Sequence, residues 1–343
     1  MNDAEFLSGL AAMSARIGAD PLLIQGAGGN SSLKQDGRLW VKASGQWLAE
    51  ADEKPIFVPL SMAALRDSAG MLMDEAPPSS VIAECNPAGL RPSIEAMLHA
   101  IMPHRIVVHA HAVNAMAVSV LAEGRALAGE RLRGLRWTWI GYHRPGAPLA
   151  RAVREAIEAE PADVLILQNH GVVVGAEDIA AAEALLAEVE QRLVLEPREA
   201  PPAQPAWQPS LGDDFERHPL ASTWALDAHV ANVLTRYTLV PDQVVFLGGP
   251  IPNWEGKEAP GHVATRIASE RGIEPAILMC PGLGAVAARN RTAATEAMLV
   301  GLLEVARRLP SDIPPVGLSP ADVAALTNWD AERYRRNIDA ARQ

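Results

Sequence analysis

The stretch on which both fold and site depend is Ile106-Val107-Val108-His109-Ala110-His111. Its aliphatic residues predict a buried strand, and side chains two positions apart on a strand point to the same face. His109 and His111 are therefore expected side by side at the strand end. A second aliphatic run, Val164 to Leu167, predicts another strand and is followed by His170. Three imidazoles at two strand ends could bind a divalent transition metal, and unrelated core or edge histidines are the alternative.

Composition limits the classes of protein to which the chain can belong. With 343 residues, 49% of them hydrophobic, it can hold one large or two ordinary domains. A net charge of −11 without a basic block argues against nucleic-acid and anionic-membrane partners. The two distant cysteines, Cys85 and Cys280, do not form a disulfide framework. No signal peptide or apolar span of about 18 residues is recognised, so we expect a soluble cytoplasmic protein.

A proline-rich segment predicts the domain boundary. Five prolines occur between Glu196 and Pro209, which is typical of an exposed linker. We therefore predict a first domain at residues 1–195, a linker at 196–212 and a second domain at 213–343. Interleaved strands and helices predict an α/β (α+β) first domain and a smaller α/β second domain.

Periodicity and capping residues predict the individual elements. Ser93 and Asp178 are the expected N-caps of two of the helices. The predicted helices of the first domain span residues 5–17, 61–66, 93–102, 112–121, 149–159 and 178–193. Its predicted strands span 22–25, 38–42, 106–111, 163–167 and 171–174. The second domain is predicted to have strands at 243–247 and 276–280 and a helix at 293–307.

Two loops and one helix start carry groups that bind anions. The glycine-rich loop from Gly26 to Ser32 allows backbone N–H groups to approach an anion, although a tight hairpin turn is equally compatible. Strand-like residues follow this loop, which excludes a dinucleotide fingerprint and a Walker A loop. The loop from Lys42 to Gly45 adds a hydroxyl group, and Ser93 lies at a positive helix end. Together they predict a small pocket for a phosphate or a carboxylate.

Two further side chains could move protons. Glu95, in the first predicted turn after Ser93, is either a solvated carboxylate that favours the helix dipole or a general base beside a metal. His99 lies one turn later on the same face and is interpreted as a structural residue. Tyr142, in a polar loop, could donate a proton to an oxyanion or pack against a neighbouring loop.

The order and spacing of these motifs resemble the class II aldolase/adducin-head superfamily over roughly residues 5–195. The resemblance implies an α/β/α sandwich around a central mixed or antiparallel sheet. It implies that His109, His111 and His170 bind Zn²⁺ or another divalent ion, and that Glu95 is the metal-site carboxylate and acid/base. The residues that would hold a substrate phosphate are Gly29, Asn30, Ser44, Gly45 and Ser93. Ile94 stands where the family has a second serine, which removes one hydroxyl from that cradle.

The chain looks closest to the aldolase part of the long bifunctional rhamnulose-phosphate aldolase/alcohol dehydrogenases, without a dinucleotide fingerprint of its own. We therefore expect a metal-dependent aldolase that acts on a sugar-derived hydroxy-carbonyl compound, phosphorylated or not, through an enediolate. Family members are commonly tetramers, so a homo-oligomer is expected. An epimerase or decarboxylase using the same site, a non-catalytic module like the adducin head, and a sugar-phosphate sensor are the alternatives.

Overall fold

A computed structural model describes residues 3–66, 75–202, 207–327 and 329–342. The chain divides into two compact units. The first comprises residues 1–119 with 123–194, and the second comprises residues 120–122 with 195–343. Within the predicted linker, residues 203–206 lie outside the described residues.

The first unit is built on a seven-stranded sheet with strand order β3-β2-β1-β4-β7-β6-β5. Neighbouring strands are antiparallel except β5 and β6, which are parallel. This confirms the predicted mixed sheet. The strands are β1 (Asn30–Gln35), β2 (Arg38–Lys42), β3 (Phe57–Ser61), β4 (Ile106–Ala110), β5 (Trp137–Ile140), β6 (Val164–Leu167) and β7 (Gly171–Ala176).

Helices cover both faces of this sheet. On β1, Ser31 hydrogen-bonds Ser14 of helix α1 (Asp3–Ala19), whereas its neighbour Ser32 hydrogen-bonds His99 of helix α3 (Ala96–Ile101). Since successive strand residues face opposite sides, α1 and α3 lie on opposite faces, as in the predicted α/β/α sandwich. The helices of this unit are α1 (Asp3–Ala19), α2 (Met62–Arg66), α3 (Ala96–Ile101), α4 (Val113–Ser119), α5 (Gly124–Arg131), α6 (Ala147–Ala159) and α7 (Ile179–Arg192).

An aliphatic core beneath α3 and α6 fixes the strands that lead to the site. Val107 of β4, Leu165 of β6 and Val173 of β7 are fully buried there against Leu98 and Val153 of the two helices. Fully burying side chains of this size contributes roughly 1.5–3 kcal/mol each. The aliphatic runs recognised in the sequence thus fix the positions of β4 and β6 in the sheet. His109 and His111 lie at the end of β4, and His170 follows the end of β6.

The second unit has a three-stranded antiparallel sheet with strand order β8-β10-β9, packed against helices. Its strands are β8 (Phe215–Arg217), β9 (Ile277–Cys280) and β10 (Gly284–Ala288). Its helices are α8 (Pro219–Trp224), α9 (Ala228–Arg236), α10 (Pro241–Leu247), α11 (Pro260–Arg271), α12 (Ala293–Ala306), α13 (Pro320–Thr327) and α14 (Asp330–Ala340). The predicted strand at 276–280 and helix at 293–307 are confirmed. Among the described residues, no helix has the length and apolar character needed to cross a membrane.

Two predicted strands are wrong. Residues 22–25 form a turn followed by irregular backbone instead, and the backbone N–H groups of Leu23 and Ile24 both donate to the Asp20 carbonyl. Residues 243–247 belong to helix α10, which has Pro241 in its first turn and Gly248 in a left-handed conformation at its end. Proline at the start and glycine after the end are the terminal signals of a helix.

The buried Lys34 makes the stability of the first unit dependent on pH. Its Nζ donates to the carbonyls of Met102 and His104, at 2.5 and 2.8 Å. Burial lowers the pKa of Lys34 from 10.5 to about 7, although Glu177 opposes the change. Between these two values the unfolded chain binds a proton that the folded chain does not. A rise in pH through this range therefore favours the folded state.

We expect the free energy of unfolding to rise between pH 7 and about pH 9 by at most roughly 1.4 kcal/mol per pH unit from this group. Lys34→Met should flatten that slope, as measured by chemical denaturation at both pH values. Lys54→Met, at a half-exposed lysine, is the matched control and should keep the wild-type slope. An unchanged slope in Lys34→Met would contradict the assignment.

Candidate metal centre

Three buried histidines converge where β4 ends and β7 begins. His109 lies in β4, and His111 follows one residue after the strand ends. His170 comes from the turn between β6 and β7. The preceding Asn169 has a positive φ of 55°, a conformation that asparagine tolerates better than most residues. The ring centroids are 4.8–5.2 Å apart, and one nitrogen of each ring lies within 4.8 Å of those of the other two.

Close backbone packing makes room for these rings. A Cβ atom on Gly28 would lie 2.7 Å from Nδ1 of His111, and one on Gly29 would lie 2.8 Å from the His109 carbonyl oxygen. A Cβ atom on Gly171 would approach the Ala110 carbonyl to 2.4 Å. These distances are too short for any larger residue unless the neighbouring ring or backbone atoms shift. The glycine-rich loop therefore packs against the histidine-bearing strand end, a role that sequence reasoning missed.

The arrangement of donor atoms fits a divalent metal. Nδ1 of His109 lies 3.0 Å from the Val172 carbonyl and donates to it, which leaves Nε2 with its lone pair. Nε2 of His111 lies 3.2 Å from Nε2 of His109. Two nitrogen ligands of a tetrahedral zinc ion, each bound at about 2.05 Å, are about 3.3 Å apart. His109 and His111 are thus spaced as two ligands of one ion, a nitrogen of His170 lies within 4.8 Å of theirs, and the residue types suit zinc and other divalent transition metals.

Glu95 lies beside the histidines and is also buried. Its Oε2 is 3.5 Å from Nε2 of His109, and its Oε1 is 3.6 Å from Nε2 of His170. Oε1 has no hydrogen-bond partner among the described residues. Burial alone would raise the pKa of Glu95, but the electrostatic effect of the neighbouring His109 and His170 rings and a hydrogen bond from Asn30 outweigh it and bring the pKa to about 2. The side chain is therefore an ionised carboxylate that faces the three rings.

The Asn30 side chain forms hydrogen bonds with three other side chains. Its Nδ2 donates to Oε2 of Glu95 at 2.8 Å and to Oγ of Ser93 at 3.2 Å, and its Oδ1 is bonded to Nε2 of His99. Nδ1 of His99 is bonded in turn to Oγ of Ser32 at 2.7 Å. Sequence reasoning missed Ser32, although its position two residues after Asn30 places both side chains on one face of β1.

The predicted N-cap at Ser93 is wrong. Helix α3 begins at Ala96, so Glu95 occupies the cap position and Ser93 lies two residues earlier. The Ser93 hydroxyl accepts from the backbone N–H of Glu95 at 3.2 Å instead. The segment is anchored to the sheet by a bridge between Ala43 and Pro92. Strand pairing therefore determines this backbone more strongly than helix capping does.

The remaining predicted anion-binding residues lie next to this segment. The backbone N–H of Ser44 donates to the Arg91 carbonyl at 2.8 Å, and Gly45 has a positive φ of 74°. The buried Lys42 donates from Nζ to the Ala27 and Gln46 carbonyls, at 2.7 and 2.8 Å. Lys42 thus connects the glycine-rich loop with the loop that contains Ser44 and Gly45. The only sequence signal for this connection is a lysine at the end of a buried strand.

Tyr142 lies near the same edge of the sheet. Strand β5 ends at Ile140, two residues before Tyr142, and its parallel partner β6 ends at Leu167, three residues before His170. Ile140 and Leu167 are directly paired. Parallel strands that end together carry their following residues to one edge. The proton-donating role of Tyr142 stays a prediction.

Comparison with known proteins gives one family. The family described as class II aldolase and adducin N-terminal domain matches residues 9–195, more than half of the chain. A Bacillus subtilis (strain 168) protein named "Uncharacterized oxidoreductase YuxG" is 30% identical over 176 residues, which are 47% of this chain. The match spans only 25% of the length of that curated relative.

Solved structures with similar architecture include the N-terminal class II aldolase domain of a conserved protein from Thermoplasma acidophilum. It is 25% identical, covers 56% of this chain and 93% of its own, and has a TM-score of 0.49. An L-fuculose-1-phosphate aldolase from Thermus thermophilus is 17% identical, covers 55% and 91%, and has a TM-score of 0.40. The assignment to a family rests on the family match.

Proposed function

The chain belongs to the class II aldolase and adducin N-terminal domain family, and on that premise we propose that it is a divalent-metal-dependent aldolase. The proposed substrate is a small sugar-derived compound with a carbonyl group beside a hydroxyl group. The observation that carries the proposal is the buried cluster of His109, His111 and His170 with the ionised Glu95 facing it. A non-catalytic module does not require this convergence of buried polar groups, which is costly to maintain.

Each residue has a defined task in the direction of bond formation. The three histidines would hold the ion, which supplies Lewis acidity to the substrate oxygens when bound. Glu95 removes a proton from the carbon next to the carbonyl, and the resulting enediolate attacks the carbonyl carbon of an aldehyde. The new carbon–carbon bond leaves an alkoxide, to which the Tyr142 phenol donates its proton. Cleavage is the reverse sequence.

The substrate contacts are also part of the proposal. Ser44 and Gly45 present a hydroxyl and a backbone N–H beside Ser93, where an anionic end of the substrate could bind. Ile94 is buried at the position where the family has a serine, so this cradle has one hydroxyl fewer. A carboxylate or a phosphate fits the same donors, and assays should include both kinds of substrate.

Metal removal tests the function directly. The purified protein should contain about one divalent ion per chain, and chelation should lower aldol cleavage by roughly a thousandfold or more because Lewis acidity contributes several kcal/mol. Adding Zn²⁺, Co²⁺ or Mn²⁺ back separately should identify the ions that restore it. The substrates are a panel of sugar phosphates, L-fuculose 1-phosphate included, and unphosphorylated or carboxylated sugars. Aldehyde release is measured by a coupled dehydrogenase assay.

His109→Ala provides the genetic form of this test. It should lose both the metal and the activity, whereas His262→Ala, in α11 of the second unit, should keep both. Full activity in a metal-free His109→Ala protein would exclude the proposal. NMR of the products separates the alternatives that share this site, since an epimer or released CO₂ would replace the aldehyde.

The proposed enzyme is a cytoplasmic homo-oligomer, and a tetramer is favoured. Light scattering after size-exclusion chromatography measures the assembly, and a monodisperse monomer would exclude this part of the proposal. The domain division at residues 196–212 is likewise a proposal, which limited proteolysis can test. We assign no activity to residues 213–343.

A further inference from the structure

A line of buried hydrogen bonds connects strand β1 with the carboxylate of Glu95. It runs from Ser32 through His99 and Asn30, and all three side chains are at most 4% exposed. The first two contacts lie between β1 and α3, and the last reaches the carboxylate. The proposed function uses Glu95 but does not explain why a histidine is buried behind it.

The direction of each hydrogen bond follows from the donors and acceptors. Burial lowers the pKa of His99 to about 3, although the charge of Glu95 opposes this change, so the ring is neutral and carries one N–H. Nδ2 of Asn30 faces Glu95 and Ser93, and Oδ1 therefore faces His99. A carbonyl oxygen only accepts, so Nε2 of His99 carries the proton. The Ser32 hydroxyl then donates to Nδ1.

We infer that His99 is a positioning residue for Glu95, acting through the amide of Asn30. The N–H of His99 prevents the Asn30 amide from turning over, because a reversed amide would place two donors against each other. Both protons on Nδ2 of Asn30 are then donated in hydrogen bonds, one to Oε2 of Glu95 and one to Oγ of Ser93. Oε2 is anchored, and Oε1 is the oxygen left to exchange protons beside His170. The inference rests on the proposed function, in which Glu95 is the acid/base.

A consequence concerns the binding of the substrate anion. With both Nδ2 protons committed and Oδ1 accepting from His99, Asn30 offers no donor to a phosphate. The anionic end of the substrate should depend on Ser44 and Gly45 instead. Variants in this hydrogen-bonded line should therefore change kcat and leave KM nearly constant.

Two substitutions at one position separate positioning from simple structural support. His99→Leu removes the donor, whereas His99→Gln can still present an N–H to Oδ1 of Asn30. We expect kcat to fall by roughly 10–100-fold in His99→Leu with KM within about threefold of wild type, as for other outer residues that orient a site. His99→Gln should recover most of that loss. Ser14→Ala breaks the buried bond to Ser31 on the opposite face of β1 and is the matched control with wild-type kcat.

Nuclear magnetic resonance tests the same inference without an activity assay. In protein labelled with ¹⁵N-histidine and ¹⁵N-asparagine, His99 should be the neutral Nε2–H tautomer. The Asn30 side-chain amide protons should be protected from exchange. That protection should disappear in His99→Leu and return in His99→Gln.

The outcomes that would overturn the inference are specific. They are an Nδ1–H tautomer at His99, wild-type kcat in a folded His99→Leu protein, or equal loss in the leucine and glutamine variants. A protein that binds metal but cleaves no substrate would contradict the proposed function alone. The tautomer and the amide protection would then still decide whether His99 orients the Asn30 amide.

Discussion

Glu95→Gln is expected to slow turnover severely while the protein keeps its fold and its metal. Glutamine has the same shape as glutamate, and its side-chain oxygen can accept a hydrogen bond from Nδ2 of Asn30. However, it cannot remove the proton from the substrate carbon next to the carbonyl. Loss of a positioned acid/base lowers rates by roughly 10²–10⁴-fold, so kcat should fall in that range. His109, His111 and His170 are unchanged, and elemental analysis should still find about one ion per chain.

The control for this variant is Glu84→Gln, which removes a carboxylate from an exposed position of the same unit. It should have wild-type kcat and metal content. If Glu95→Gln retained kcat within about threefold of wild type, the carboxylate would not be the acid/base. If it lost the metal as well, Glu95 would have to be counted as a ligand that the histidines cannot replace.

Arg335→Met should destabilise the second unit strongly. The guanidinium of Arg335 is buried between α14 and α10, donating to both carboxylate oxygens of Asp242 at 2.8 and 3.1 Å and to Glu332 at 2.9 Å. Burial lowers the pKa of Arg335, but these two carboxylates raise it more, so its net change is upward. Removing the cation leaves the buried carboxylates of Asp242 and Glu332 without their positively charged partner, which lowers the free energy of unfolding by about 3–5 kcal/mol. Chemical denaturation of the full chain measures the loss.

A nearby arginine provides the control. Arg333 lies on the same helix, is mostly exposed and pairs with the exposed Asp330, so Arg333→Met should cost less than about 1 kcal/mol. Combining Arg335→Met with Asp242→Asn and Glu332→Gln should recover part of the stability, because neither of these two partners is then a buried charge without its cation. Equal destabilisation by Arg333→Met and Arg335→Met would contradict the importance of the buried ion pairs.

Local patterns were sufficient to predict several parts of the fold. The aliphatic runs of β4 and β6 are strands because their side chains are buried on both faces of a covered sheet. The Asp178 side chain caps α7 by accepting from the N–H of Ala181, as its position before an apolar helix predicts. In these cases, the information lies within a few neighbouring residues. The same locality explains why the three histidines could be singled out.

Other elements depend on information that short patterns do not contain. The run Gln243–Leu247 is apolar enough for a strand or a buried helix, and only the flanking Pro241 and Gly248 distinguish them. The contact of His99 with Asn30 joins residues 69 positions apart. Periodicity placed His99 and Glu95 on one helix face, but it could not identify the side chain that lies between them. Pairing of β1 with β4 provides that information.

The pairing of His109 with Asn30 across β1 and β4, and with Val173 across β7, restricts how these strands can change during evolution. Inserting or deleting one residue within β4 before His109 would turn its ring to the opposite side of the sheet. A compensating change in β1 would move Asn30 away from Glu95. Length variation among descendants of this chain should therefore accumulate in the surrounding loops, while the three central strands keep a constant count of residues.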